Sequence, residues 1–251
     1  MTADRYKDVH TYVTFIGNGR TGTSLIAAII DAHPNAIVSH QLQAIRRLRK
    51  LSREELFNEI AKTSSKHYRK GKPHYQYRYA IPGTWQGQAD PIRVIGDKYA
   101  GPDTDRLAEN DFELLNELEK TMSGLRLKFV HAVRNPYDAI TTHKRRYYTT
   151  LGRALRTCGR REVAVERIKA LGYDVLDIHL ERLVECPVAV IGHLYSWLGL
   201  KADRDLVNRC ASIVFDQTRI TRNSIRWSPR SIAVVEQMIE RFDWLNGYHW
   251  D

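Results

Sequence analysis

Apolar positions along the chain follow two periods: short continuous runs that suit buried strands, and longer stretches with hydrophobics three and four apart that suit amphipathic helices. The run 12–16 (YVTFI) is β-branched and aromatic, and 23–32 follows it with Leu25, Ile26, Ile29 and Ile30 at helical spacing. A second short strand is predicted at 36–39, which makes the N-terminal segment a strand, helix, strand unit with its two strands parallel. From 42 to about 70 the pattern is helical and strongly basic, with Ser52 as N-cap and Glu54 and Glu55 in the first turn of a helix at 53–69. The segments 75–80 and 92–97 flank a turn-rich loop at 81–91 that carries Trp85, and they predict two strands of a hairpin. Farther on, helix is predicted at 102–122, strand at 125–133, helices at 136–148 and 161–171, strand at 175–180, and helices at 187–199, 204–214 and 229–243. Strands alternating with helices predict an α/β fold of three layers, α/β/α, around a central parallel sheet, with helical and hairpin insertions at about 42–91.

At 251 residues and 43% hydrophobic content, one domain over 1–251 is expected in place of two small ones. The 39 Lys and Arg against 29 Asp and Glu give a formal charge of +10, which favours an anionic partner without choosing among nucleic acid, a polyanion or a phosphorylated small molecule. Cys158, Cys186 and Cys210 show no C-x-x-C or Cys/His spacing, so reduced thiols and no metal site are expected. The first residues lack the basic-then-apolar pattern of a signal peptide, and no apolar stretch approaches the ~18 residues of a membrane span, so a cytoplasmic location is expected.

Between the first strand and first helix lies 17-GNGRTG-22, followed by Thr23 and Ser24. A glycine turn that opens a helix presents backbone N–H groups and the positive end of the helix dipole to an anion. The spacing approaches that of a triphosphate-binding loop, yet the position of the phosphate lysine holds Thr23, and the cation, Arg20, stands three residues earlier. That disfavours a nucleoside triphosphatase; a plain strand-to-helix turn is the bland alternative. A second group of polar residues follows the strand at 125–133: Asn135 suits an N-cap and Pro136 the first helical position, so Arg134 is delivered to the C-terminal edge of the sheet. Thr142 lies eight residues on and can face an anion held beside the first two turns. Alone, this second group reads equally well as a capped helix with a surface arginine.

The two groups together resemble the sulfotransferases that use 3′-phosphoadenosine 5′-phosphosulfate (PAPS) as donor. Arg20, Thr21, Gly22, Thr23 and Ser24 match the family's 5′-phosphosulfate loop, and Arg134 with Thr142 matches its 3′-phosphate motif, Thr standing where the family usually has Ser. The segment 172–200 and the tail 222-RNSIRWSP-229 resemble later parts of the family, so the likeness spans nearly the whole chain and is of the bacterial stand-alone type. The resemblance implies a fold like that of P-loop nucleoside triphosphate hydrolases, PAPS as co-substrate, adenosine 3′,5′-bisphosphate (PAP) as product and no metal requirement. It further implies donor binding by Asn18, Gly19, Arg20, Thr21, Gly22, Thr23, Ser24, Arg134, Thr142 and Arg222.

For catalysis, Arg20 is expected to neutralise charge on the leaving oxygen and Lys98 of 96-GDK-98 to act as a second cation, a solvated strand end being the alternative for Lys98. Where relatives often place a Glu after the second strand, this sequence has 39-SHQ-41; Gln41 cannot take a proton, so His40 is the preferred base. His33 reads as a turn residue and His131 as a core histidine. Rival readings are a nucleic-acid-binding protein, from the basic runs 43–54 and 143–161, a P-loop kinase, and a non-catalytic family member, which Gln41 keeps open. Those basic runs, with Trp85, Tyr75, Tyr77 and Tyr79, can alternatively line a cleft for a small-molecule or saccharide acceptor, with no specific nucleic acid; a homo-oligomer stays open.

Overall fold

The computed structural model describes residues 5–69 and 79–250. Five strands, β1 (Thr11–Ile16), β2 (Ala36–His40), β3 (Val94–Lys98), β4 (Arg126–Val133) and β5 (Asp174–His179), form one sheet in the order β2-β3-β1-β4-β5. Every neighbouring pair is parallel. All six residues of β1 are buried, as a central parallel strand covered on both faces requires. Its side chains alternate: Val13 and Phe15 pack into one core cluster, Tyr12 and Ile16 into the other.

Helices supply the outer layers. On the Val13 face lie α1 (Thr23–Asp31) through Leu25, Ile26, Ile29 and Ile30, and, later in the chain, the Pro187–Trp197 helix through Ile191, Leu194 and Tyr195. Burying an aliphatic side chain of this kind contributes about 1.5–3 kcal/mol. The opposite face is covered by the helices Arg53–Arg69, Glu113–Thr121 and Leu151–Ala170, through Leu56, Phe57 and Ile60, then Leu115 and Leu118, then Ala164, Val165 and Ile168. In chain order the helices are α1, α2 (Ala44–Arg47), α3 (Arg53–Arg69), α4 (Ala100–Leu107), α5 (Glu113–Thr121), α6 (Pro136–Arg146), α7 (Leu151–Ala170), α8 (Leu180–Glu185), α9 (Pro187–Trp197), α10 (Arg204–Ala211) and α11 (Pro229–Arg241).

The three-layer parallel fold is as expected, with local differences. The strand expected at 92–97 exists as β3, but it lies between β1 and β2 and runs parallel to both, so it is not an arm of a hairpin. Tyr79 and Ala80 carry no strand, and 75–78 lie outside the described residues. The helix expected at 102–122 is split into α4 and α5 by a 3-10 turn, Glu109–Phe112, whose last residue takes a positive φ of 67°. α7 begins ten residues before the expected 161, capped by the Thr150 side chain, which accepts from the Arg153 N–H.

Candidate active site

Residues at or just beyond the ends of the five strands converge on one cleft of about 2000 Å³ at the C-terminal edge of the sheet: Gly19, Gln41, Lys98, Arg134 and Leu180 all line it. β1 sits between β3 and β4, so the loop after β1 occupies the centre of that edge, where ligands of open parallel sheets bind. Volumes of several hundred Å³ hold one small ligand, so this cleft has room for two.

The loop is shaped by left-handed residues. Gly17, Arg20 and Gly22 have φ of 87°, 73° and 93°, a conformation that costs a non-glycine residue such as Arg20 about 1–3 kcal/mol. Glycine is required at 17, because a Cβ there would stand 2.3 Å from His131 Cδ2. At Gly19 a Cβ would meet nothing within 4 Å, so this backbone is open to an approaching ligand. Gly22 is the N-cap of α1, and Thr23, Ser24 and Leu25, whose first-turn amides have no intrahelical acceptor, line the cleft with it. The Gly17 N–H instead donates to Thr104 Oγ1 on α4 at 2.8 Å, which anchors the base of the loop.

Arg20, Gly22, Thr23 and Ser24 line the cleft as a group with Gly19. Asn18 and Thr21 do not: the Asn18 amide donates to Glu162 at 2.6 Å and the Thr21 hydroxyl to the Asn18 carbonyl at 2.9 Å, so both side chains hold the loop from beneath. Lys98, at the end of β3, is 3% exposed and donates from Nζ to Ser24 Oγ at 3.0 Å. Burial, reinforced by the Arg20 cation and opposed by Asp97, lowers its pKa from 10.5 to about 7. Its neighbour Asp97 is buried and accepts from Ser39 Oγ, the Leu42 N–H and the Ala44 N–H, which fixes the turn from β2 into α2.

His40 lies behind this front row. Its Nε2 is 3.2 Å from Lys98 Nζ, and its ring stacks on His67 with centroids 4.7 Å apart. With Lys98 protonated the ammonium can only donate, which leaves His40 Nε2 as the acceptor and places the ring proton on Nδ1. Gln41, with φ 61° and its N–H on the Lys98 carbonyl at 3.1 Å, is the member of this pair that lines the cleft.

The second group sits across the same cleft. Asn135 caps α6, accepting from the Tyr137 N–H at 3.1 Å, with Pro136 at the first helical position. Arg134 donates from Nη1 to the Arg20 carbonyl at 3.2 Å and from Nη2 to the Arg219 carbonyl, which ties the loop after β1, the start of α6 and the 212–221 segment together. Thr142 Oγ1 is 3.2 Å from Thr221 Oγ1 and both line the cleft.

Arg222 is placed otherwise than the sequence suggested. Its guanidinium pairs with Asp138 at 2.9 Å and donates to the His249 and Trp250 carbonyls, and it does not line the cleft. Asp138 also accepts from the Thr221 and Arg222 N–H groups, so this buried pair positions the segment before it. The arginine of that segment that lines the cleft is Arg219, which lies three residues before the 222–229 tail that carries the family likeness and so gives no sequence signal of its own. Among the described lining residues, Arg20, Lys98, Arg134, Lys144, Arg145, Arg146 and Arg219 face a single carboxylate, Asp216. Tyr79 lines the cleft; Trp85 does not, its N–H reaching Ala32 at the far end of α1, and Tyr75 and Tyr77 lie outside the described residues.

No group of three or more His, Cys, Asp or Glu among the described residues is arranged to hold a metal ion, and no helix among them is long and apolar enough to cross a membrane. His131 is buried and hydrogen-bonded to Asp177 at 2.8 Å beneath the loop.

Comparison with known proteins places this geometry. The fold is similar to that of a sulfotransferase, STF9 from Mycobacterium avium, at 14% identity and TM-score 0.54 over 94% of this chain and 77% of that one. It is similar also to the sulfotransferase domain from the curacin biosynthetic pathway, at 12% identity and TM-score 0.52 over 92% of this chain and 98% of that one. No curated protein sequence matches. The model of the sulfotransferase family matches residues 13–205, more than half of the chain, and the protein therefore belongs to the sulfotransferase family, enzymes of sulfuryl transfer.

Proposed function

We propose that this sulfotransferase takes its sulfuryl group from PAPS and passes it to a hydroxyl or amine acceptor, releasing PAP. The observation that supports it best is the pair of anion-holding groups in one cleft, Gly19–Ser24 with Lys98 on one side and Arg134 with Thr142 on the other, joined by the hydrogen bond from Arg134 to the Arg20 carbonyl. Their separation onto two strand ends suits a nucleotide with phosphates on both its 5′ and 3′ positions. The open backbone at Gly19 and the excess of cations in the lining fit such a polyanion. When bound, the donor supplies an activated sulfuryl group on a phosphate oxygen.

The protein's part is positioning and charge stabilisation. The α1 amides and Ser24 orient the 5′ end, and Arg20 stays charged throughout and steadies negative charge at the leaving oxygen. Lys98 serves beside it, its burial giving a directed, poorly hydrated ammonium. His40, behind Lys98, serves as base by relay: Lys98 Nζ passes a proton to His40 Nε2, 3.2 Å away, and receives the acceptor's proton in its place. Arg134, Thr142 and Arg219 hold the 3′-phosphate, with Arg222 acting through Asp138 to keep the Arg219–Thr221 wall in place.

Thermal-shift titration with PAP, ADP, and ATP with magnesium tests this reading. PAP is expected to stabilise the fold most, with the response in Arg134→Ala reduced to that given by adenosine 5′-phosphate. Preference for ATP with magnesium would discard it and return the kinase alternative.

A further inference from the structure

Two chains of hydrogen bonds stand behind the residues that face the 3′-phosphate in the reading above, and both end on residues 248–250. The first supports the start of α6. Tyr248 Oη donates to Glu181 Oε2 on α8 at 2.6 Å, and Glu181 Oε1 accepts from the Asn135 N–H at 3.1 Å. The side chain of Asn135, whose oxygen caps α6, donates from Nδ2 to the His249 carbonyl at 2.9 Å. Asn135 directly follows Arg134, so fixing its backbone and its side chain together fixes where the Arg134 guanidinium starts. The second chain supports the Arg219–Thr221 wall. Arg222 Nη1 donates to the His249 carbonyl at 2.8 Å and to the Trp250 carbonyl, while its Nη2 pairs with Asp138, whose Oδ1 accepts from the Thr221 N–H at 2.6 Å.

The donors and acceptors have a definite order. Burial, and after it the Glu181 carboxylate, raise the pKa of Tyr248, so the phenol keeps its proton and gives it to Glu181. Toward His179 Nδ1, 3.2 Å away, the Tyr248 oxygen can then only accept, which places the imidazole proton on Nδ1. Rings seat the same segment. Tyr248 packs in the cluster of Val133, Met238, Phe242 and Leu245, and Val133 directly precedes Arg134. The Trp250 ring meets Tyr137 and Trp227 edge-on, with centroids 5.0 and 5.8 Å apart. The loop after β1 is anchored elsewhere, by Thr104 and Glu162. A phenol and two peptide carbonyls carry no positive charge, so what 248–250 give the 3′-phosphate is the placement of other groups, and groups placed beforehand lose less freedom when the ligand binds.

We propose that residues 248–250 are positioning residues for the 3′-phosphate: they hold Arg134 through Asn135 and the Arg219–Thr221 wall through Arg222, and so set how strongly the protein separates a 3′,5′-bisphosphate from a 5′-phosphate. The proposal rests on the donor reading above.

The test is calorimetric affinity for PAP and for adenosine 5′-phosphate on the wild type, a chain truncated after Gly247, and Tyr248→Phe, at a temperature where circular dichroism shows each protein folded. Truncation is expected to lower PAP affinity about tenfold and to leave that for adenosine 5′-phosphate within about twofold. Tyr248→Phe removes only the hydroxyl donor to Glu181 and is expected to lower PAP affinity about fivefold, again sparing adenosine 5′-phosphate. A loss shared equally by the two nucleotides would make the segment a general support of the fold, and an unchanged preference for PAP would make it irrelevant to the site; either result overturns the proposal and leaves the donor reading intact. If the truncated chain does not fold, Tyr248→Phe decides by the same two results. A wild type without preference for PAP would overturn the donor reading and the proposal together.

Discussion

Lys98 sets up a proton linkage that can be measured directly. Its ammonium is 3% exposed, and burial lowers its pKa from 10.5 to about 7, with Arg20 acting in the same sense and Asp97 against it. An unfolded chain would keep this proton up to about pH 10.5, whereas the folded protein releases it above about 7. Between those values the unfolded state binds more protons, so the contribution of Lys98 makes stability rise with pH. Below about pH 7 both states are charged and the full cost of burial, roughly 5 kcal/mol at about 1.36 kcal/mol per pH unit, is present and constant. Lys98→Met removes the charge. The stability gap between variant and wild type, measured by urea unfolding, is predicted to narrow by about 3 kcal/mol between pH 6.5 and 9.5. A bound anion restores the ammonium, so PAP binding at pH 8.5 should take up close to one proton, read by calorimetry in two buffers of different ionisation enthalpy. A gap that stays constant across pH, together with buffer-independent binding heat in the wild type, would refute the reasoning.

Other substitutions probe the supports of the cleft. Gly17→Ala forces a Cβ to 2.3 Å from His131 Cδ2 at φ +87° and should cost at least about 2 kcal/mol in urea unfolding, whereas Gly19→Ala, with nothing within 4 Å, should leave stability nearly unchanged and weaken PAP binding. Asp138→Ala leaves the buried Arg222 guanidinium without its carboxylate and should destabilise by about 3 kcal/mol or more, with weaker PAP binding as the Arg219–Thr221 wall loosens. His40→Ala should lower kcat by about 10²-fold or more with PAP binding retained, and undiminished turnover would remove His40 as the base.

The centre of the site was legible because its determinants are local. A buried β-branched run, glycines at the turn and the Asn135–Pro136 cap each act within a few residues of where they stand, so β1, the loop, α1 and the delivery of Arg134 follow from short windows. What failed depends on distant partners. The pattern at 92–97 announces a strand but not its neighbours, and the parallel pairing of β3 with β1 and β2 excluded a hairpin. The first half of α7 was hidden because Gly152, Gly159 and several arginines dilute a periodicity that Leu151, Ala154, Leu155 and Cys158 nonetheless carry. Arg222 and Arg219 differ in placement because Asp138, over eighty residues earlier, captures one of them, a choice that composition does not record. The lowered pKa of Lys98 likewise arises from burial by several segments at once.

The central claim, that one cleft holds two separate phosphates of one nucleotide, is tested most directly by calorimetric comparison of PAP with adenosine 5′-phosphate on wild-type protein and Arg134→Ala. The wild type is predicted to prefer PAP by about tenfold or more, a difference of about 1.4 kcal/mol or more, and Arg134→Ala to lose that preference while still binding the 5′-phosphate. Equal affinity of the wild type for the two nucleotides would contradict it.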